Sequence, residues 1–289
     1  MDGNNTPKVA VIIPSFDGFR DGCVPKLLQS IESQTFKNYE IHQVIGVSPQ
    51  GKAINQGVNE SIGDILIILD DDSRLTHDRV FEHLVAVIDN DPSIGMAGAS
   101  IITPPESSAF QKKASTQFPR FNTPVVEKIT DSDFACHGCC AIPRSVFEDI
   151  GGEREDILRG LDPDLRVRLR EKGLRVVLVP DASIYHPLPD GWKKLLRIFF
   201  RNGYGSAYAQ KFQPETVYET HETLHSDSFK EKRSFGYRIA RYPVRLLKAC
   251  VTFQWMRFSA YISYAIGYGW GMMTAREMIL VPKSGGVNE

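Results

Sequence analysis

The sequence predicts an α/β fold, a mostly parallel sheet flanked by helices and followed by a helical C-terminal extension. Three observations predict it. Apolar runs recur at 8–13 (KVAVII), 39–47 (YEIHQVIGV) and 65–69 (ILIIL), each ending in polar or turn-forming residues. Segments with apolar residues at helical spacing separate them. Near residue 191 the texture changes to long stretches in which aromatic residues mix with Arg and Lys. A continuous apolar run signals a strand buried on both faces, as a parallel sheet requires. The expected division is therefore a sheet domain over 1–190 and a helical extension over 191–289.

The first strand stops at Pro14, and the loop PSFDGFRDG is rich in turn formers. Residues 24–34 carry Leu27, Leu28 and Ile31 at helical spacing, with Pro25 suited to a first turn. Ser48, Pro49, Gln50 and Gly51 break the second strand, and 52–61 (KAINQGVNES) reads as a helix closed by Gly63. The resulting β-α-β-α-β order predicts parallel pairing of the strands containing Val9 and Ile65. A helix over 78–90 and a strand over 94–102 follow. Residues 103–130 are polar and weakly periodic, an excursion expected over the site. Next come a short buried strand at 134–142, a helical turn at 144–150 and a charged helix at 163–172. A strand at 174–179 ends at Pro180, which leads 180–186 away from the sheet.

The composition of the 289 residues, 42% hydrophobic and 24% charged, is that of a folded soluble chain. A net charge of -1 gives no global basic field for nucleic acid. Cys136, Cys139 and Cys140 with His137 lack the second pair of a tetrahedral zinc set, so they read as buried thiols of a reducing compartment. The N-terminal MDGNNTPK has no apolar core of a signal peptide, which suggests a cytoplasmic chain, at most at the inner face of a membrane. The uncharged run 258–273 falls short of the roughly 20 residues that span a bilayer as a helix. With Arg245, Lys248 and Arg257 near Trp255, residues 241–273 suit a membrane surface or a second subunit. An aromatic helical core packed on the main domain is the alternative.

The third strand runs into Asp70, Asp71 and Asp72. Ligands bind at the carboxyl ends of strands in open α/β sheets. Three adjacent carboxylates repel and need a cation or full solvation. Alternate residues project together, so two of the three could share one divalent ion and its polyphosphate ligand, and hard oxygens suit Mg²⁺ or Mn²⁺. The plainer alternative is an acidic turn whose Asp-Asp-Ser caps the next helix.

Six segments in order, VIIPSFDG, LLQSIESQTFKNYEI, GKAINQGV, ILIILDDD, HGCCAIPRSVFEDIGG and DPDLRVRLREKGLRVVLVPDASIYH, together resemble the family-two glycosyltransferases. These are inverting nucleotide-sugar enzymes of GT-A fold. The resemblance runs almost continuously over 8–186 and is loose beyond. It implies that Pro14, Ser15 and Asp17 surround the nucleobase and ribose, and that Gly51, Lys52 and Asn55 contact the nucleotide. It places Asp70 and Asp71 on the nucleotide sugar, Asp72 on the metal, and His186 as a further metal or diphosphate ligand. Without the resemblance, His186 is a helix- or strand-terminal histidine before Pro187. His137, Gly138 and Asp164 fall on the acceptor side. The implied partners are a nucleoside-diphosphate sugar and a glycan or lipid-linked acceptor.

Where the family usually reads Glu-Asp, this chain reads Leu161-Asp162. The resemblance makes Asp162 the catalytic base, at or near the N-cap of the charged helix, with Asp164 as fallback. Arg197 and Arg201 read as a solvated basic face, or as contacts to the diphosphate or a membrane acceptor. Two other functions compete. ILIILDDDS also resembles the nucleophile motif of haloacid-dehalogenase phosphatases, but the later strand offers only Asp181 where that family needs paired acids. The absent Glu admits a non-catalytic module that binds a sugar nucleotide or a partner.

Overall fold

The computed structural model describes residues 6–226 and 234–277. Most of MDGNNTPK, on which the leader reading rested, and parts of both expected domains (1–5, 227–233 and 278–289) lie outside the described residues.

Strands β1 (Val9–Ser15) and β3 (Ile65–Leu69) are buried along their whole lengths. With β2 (Tyr39–Ile45), β4 (Arg74–Leu75), β5 (Ile94–Ile102), β6 (Thr130–Asp131), β7 (Cys139–Pro143) and β8 (Arg175–Tyr185) they form one eight-stranded sheet. Its order is β2-β1-β3-β7-β5-β8-β4, with β6 attached to β8. Val9 lies opposite both Tyr39 and Ile65 in parallel register, as the β-α-β-α-β order predicts. β5 and β8 are also parallel, whereas β7 runs antiparallel between β3 and β5. Thus β1, β2, β3, β5 and β8 share one direction, and β4, β6 and β7 oppose it.

Alternation along the strands builds a core on each face of the sheet. Val11, Ile13, Ile67 and Leu69 meet Leu27 and Ile31 of α1 (Cys23–Glu32) and Phe81 and Leu84 of α3 (Val80–Asn90). On the other face, Ile12, Leu66 and Ile68 meet Ile54 and Val58 of α2 (Gln50–Asn59) and Leu165 and Leu169 of α6 (Leu161–Glu171). Each fully buried Leu, Ile or Phe contributes about 1.5–3 kcal/mol, so the two layers hold the sheet rigid beneath its loops.

Four local expectations change. β8 does not end at Pro180. A bulge, marked by the register shift opposite Gly98 and Ser100 and by Asp181 at φ 55°, absorbs the missing N–H, and the strand continues to Tyr185. The strand expected over 134–142 starts only at Cys139, leaving 134–138 as a loop. The 103–130 excursion contains α4 (Ala109–Gln117), whose capping box joins Ser108 and Gln111. Helix α6 starts at Leu161 behind Gly160 at φ 101°, so Asp162 sits inside the first turn and not at the cap.

After α5 (Arg144–Asp149) and β8, three long helices follow: α7 (Trp192–Phe212), α8 (Phe235–Val251) and α9 (Trp255–Thr274). Among the described residues no helix is long and apolar enough to cross a membrane. α7 and α9 touch backbone to backbone, because a Cβ on Gly203 would run into the Tyr264 carbonyl and one on Gly267 into the Phe200 carbonyl. Gly269 on the same helix faces open space. Gly203→Val should therefore lower the thermal midpoint, with about 1–3 kcal/mol lost to overpacking. Gly269→Ala should raise stability by up to about 1 kcal/mol through helix propensity. Thermal unfolding of both variants checks the contrast.

Candidate active site

At the end of β3 the chain turns, and the backbone N–H of Asp70 donates to the carbonyl of His137 at 3.1 Å. Asp70 accepts from Gln50 Nε2 at 2.9 Å. Burial and the neighbouring Asp72 push the Asp70 carboxyl up to about 6. Asp72 is also pushed up by burial, but the hydrogen bond and charge of His186, with Arg20, outweigh this and hold it below its ordinary value. His186 Nε2 lies 3.1 Å from Asp72 Oδ1 and Arg20 Nη2 lies 2.7 Å from Oδ2. Asp71 faces the other way, taking the Ser15 hydroxyl at 2.7 Å and Arg20 Nη1 at 3.1 Å. The mutual repulsion of the three acids is thus met by one imidazole and one guanidinium.

Asp70, Asp72 and His186 each bring one ligand atom within 4.8 Å of the others. Two carboxylates and one imidazole are a donor set that would suit Mn²⁺ or Mg²⁺. The continuation of β8 past Pro180 is what delivers His186 to this point.

The second half of the site hangs on the same His137 peptide. Its N–H donates to Asp162 Oδ1 at 2.7 Å, and its Nδ1 lies 3.0 Å from the same oxygen. Its Nε2 lies 2.8 Å from Glu153 Oε1. Glu153 is wholly buried, whereas the Asp162 side chain keeps 36% of its surface exposed. An ionised carboxylate only accepts, so contacts from both ring nitrogens to carboxylates favour the doubly protonated imidazole. Burial opposes that charge, yet Asp162 and Glu153 raise the His137 pKa well above its ordinary value. Burial likewise acts against ionised Asp162, but His137 and Arg166 hold it far below the usual carboxylate range.

Comparison with known families and structures decides what the arrangement belongs to. Residues 7–205 match the model described as "Glycosyltransferase like family 2". The chain belongs to glycosyltransferase family 2. It is a glycosyltransferase, and the phosphatase alternative is set aside. A comparison with curated protein sequences found no match. Among solved structures, the chain resembles the mannosyltransferase PcManGT of Pyrobaculum calidifontis, solved with GDP-Man and Mn²⁺. The identity is 14% and the TM-score 0.57, over 92% of this chain and 88% of that one. It also resembles GalNAc-T7, solved with UDP, GalNAc and Mn²⁺, at 14% identity and a TM-score of 0.51. That match takes 73% of this chain but only 52% of the other, about half its length. At such identity these neighbours speak for the GT-A fold.

The other expected site residues of this glycosyltransferase fall into two groups. Pro14 and Ser15 are the last residues of β1, and Asp17 holds the following loop by accepting the N–H groups of Phe19 and Arg20. Lys52 stands in the first turn of α2, beside Gly51, where a Cβ would meet the Arg154 carbonyl at 2.6 Å. Asn55 is spent on structure, exchanging two hydrogen bonds with the Glu153 backbone. Gly138 is buried under Ile184, and its carbonyl takes the Ser73 hydroxyl. Asp164 is buried and tied to Arg168 at 2.7 Å, with no open face toward an acceptor. Arg197 and Arg201 are exposed on α7. Cys139 and Cys140 belong to opposite core layers and cannot share an ion.

Arg20, Gln50, Glu153 and Arg166 were not among the site residues expected from the sequence. Only Arg166, one helical turn beyond Asp162, left a spacing that could have revealed it.

His137→Gln strands the buried Glu153 and should cost roughly 3–5 kcal/mol. The sign of the pH dependence follows from the two shifts. The stability supplied by the raised His137 is complete below its unfolded value of about 6.5 and is lost as pH climbs through the folded one. That supplied by the lowered Asp162 is present above about 3.9 and is lost on acidification. Denaturant unfolding should show the wild-type advantage over His137→Gln greatest near mildly acidic to neutral pH and shrinking in alkali.

Proposed function

We propose that this glycosyltransferase is an inverting enzyme in which Asp162 is the general base and Asp70, Asp72 and His186 hold a divalent ion on the donor diphosphate. One observation carries the reading: a single residue, His137, hydrogen-bonds both the metal-motif strand and the carboxylate of Asp162, setting them on one cleft. Donor chemistry agrees, since two structures of the same fold hold a nucleotide or nucleotide sugar with Mn²⁺.

A single displacement needs one base on the acceptor side. The acceptor oxygen attacks the anomeric carbon, and the bond from that carbon to the diphosphate oxygen breaks. The nucleoside diphosphate leaves with the electron pair, and the acceptor proton passes to Asp162. Both His137 bonds fall on Oδ1, and Oδ2 carries neither of them. A low pKa keeps that oxygen unprotonated throughout the physiological range. When bound, a divalent ion neutralises charge developing on the diphosphate. Arg20, 2.7 Å from Asp72 and 3.1 Å from Asp71, would offer its guanidinium to phosphates bound at this motif.

Two variants in one experiment test this. Asp162→Asn should cut sugar transfer by about 100- to 10,000-fold. Its calorimetric affinity for the nucleoside diphosphate should stay near that of the wild type. Asp72→Ala should instead lose most of the gain in nucleotide affinity that Mn²⁺ confers. Normal transfer by Asp162→Asn, or equal nucleotide affinity with Mn²⁺ and with EDTA in the wild type, contradicts the assignment.

A further inference from the structure

A cavity of about 1110 Å³ opens beside the first turn of α6, lined by Gly160 and Pro163, the near neighbours of Asp162. Its far wall is the helical extension. Seven Arg and Lys side chains line it against two Glu side chains, and six tyrosines are interleaved with them. This balance differs from that of the whole chain, whose net charge is -1. The basic cavity thus reaches the turn of α6 that carries Asp162 and includes none of Asp70, Asp72 and His186 in its lining.

We infer that the cavity is the acceptor site and that the acceptor is an anionic amphiphile drawn from a lipid surface. The inference rests on Asp162 as the base, and three further observations support it.

The first is chemical. Arg159, Arg238, Arg241, Arg245 and Lys248 offer donors for a phosphate or carboxylate, and the rings of Tyr242, Tyr261 and Tyr264 offer an apolar wall. Guanidinium groups bind such anions bidentately. His221 also lines the cavity, and its buried Nε2 has no hydrogen-bond partner among the described residues.

The second is the cavity's mouth. Tyr237 and Ile239 line the cavity and are also half exposed on the outer surface of α8. From there an apolar surface continues through Val244, Leu247 and Val251 and across the turn to Phe253 and Trp255, each more than half exposed. On α9 the stripe Trp255, Ile262, Ile266 and Met273 repeats at helical spacing, away from the glycine face that packs on α7. A helix apolar on both faces calls for a nonaqueous neighbour on the second.

The third is charge. Residues 234–276 contain six Arg and Lys residues and no Asp or Glu. An apolar face flanked by this excess of cations complements anionic headgroups, with Trp255 and Trp270 suited to the headgroup level. A second copy laid on this face by a twofold would bring like charges together. An acceptor anchored in such a surface would reach Asp162 headgroup first.

The test titrates the full chain with dodecyl phosphate kept below its micelle concentration, with inorganic phosphate, and with dodecyl maltoside as a neutral amphiphile. Dodecyl phosphate should bind at least about tenfold more tightly than either control, since both the anion and the tail contribute. The double variant Arg241→Glu, Arg245→Glu should lose about tenfold or more of that affinity. It should also leave vesicles of phosphatidylcholine with phosphatidylglycerol that the wild type sediments with, and neither protein should bind phosphatidylcholine alone. Equal binding of inorganic phosphate would make this an anion site without a lipid tail, and equal binding of the maltoside would make it an apolar cleft. Unchanged binding by the double variant, or a wild-type dimer that the variant dissolves, would also overturn the inference. Nucleoside-diphosphate titration with Mn²⁺ on the same proteins reads the donor site separately, so failure of the donor reading shows as lost nucleotide binding whatever the amphiphile does.

Discussion

The site depends on one buried imidazolium. His137 is 3% exposed, and its two ring nitrogens face Asp162 and Glu153. Its peptide joins Asp70 on one side to Asp162 on the other. A charge in that position is costly unless both partners are present and well oriented. The supporting structure meets the condition: Asn55 fixes the backbone of Glu153, and Gly160 starts α6 so that Asp162 points back at the ring. The result is a carboxylate kept ionised by its surroundings while part of it stays open to the cleft.

That arrangement explains why the antiparallel strand β7 stands between β3 and β5, which run in the same direction. β7 pairs with β3 from Ile65 opposite Pro143 to Leu69 opposite Cys139. Running antiparallel, it brings its N-terminal end, and with it His137 and Gly138, to the carboxyl end of β3. A parallel strand in that place would put its first residues at the opposite edge. The acids of β3 and the imidazole before β7 meet because the two strands oppose each other.

The parallel β1-β2-β3 unit was legible because each strand is an unbroken apolar run and each helix has a single apolar stripe. The direction of β7 was not, since FACHGCCAI shows burial without saying which neighbour it pairs with. Pro180 misled for a physical reason: a proline removes a ladder donor, and only a partner that tolerates a bulge lets the strand go on. Asp70, Asp72, Asp162 and His186 were visible as a set through the resemblance, and geometry now gives each a partner. Glu153 was invisible because its role exists only once the loop before β7 folds over it. Asp164 was the fallback to Asp162 along the chain, but a two-residue step around a helix turns its side chain toward Arg168 and the core.

The central claim, that His137 is a buried cation holding Asp162 ionised, is tested most directly by the ¹⁵N chemical shifts of its imidazole across a pH titration. The account predicts both ring nitrogens protonated at neutral pH, with a titration midpoint well above that of a free imidazole. A neutral ring at pH 7, with one nitrogen bare, would contradict it.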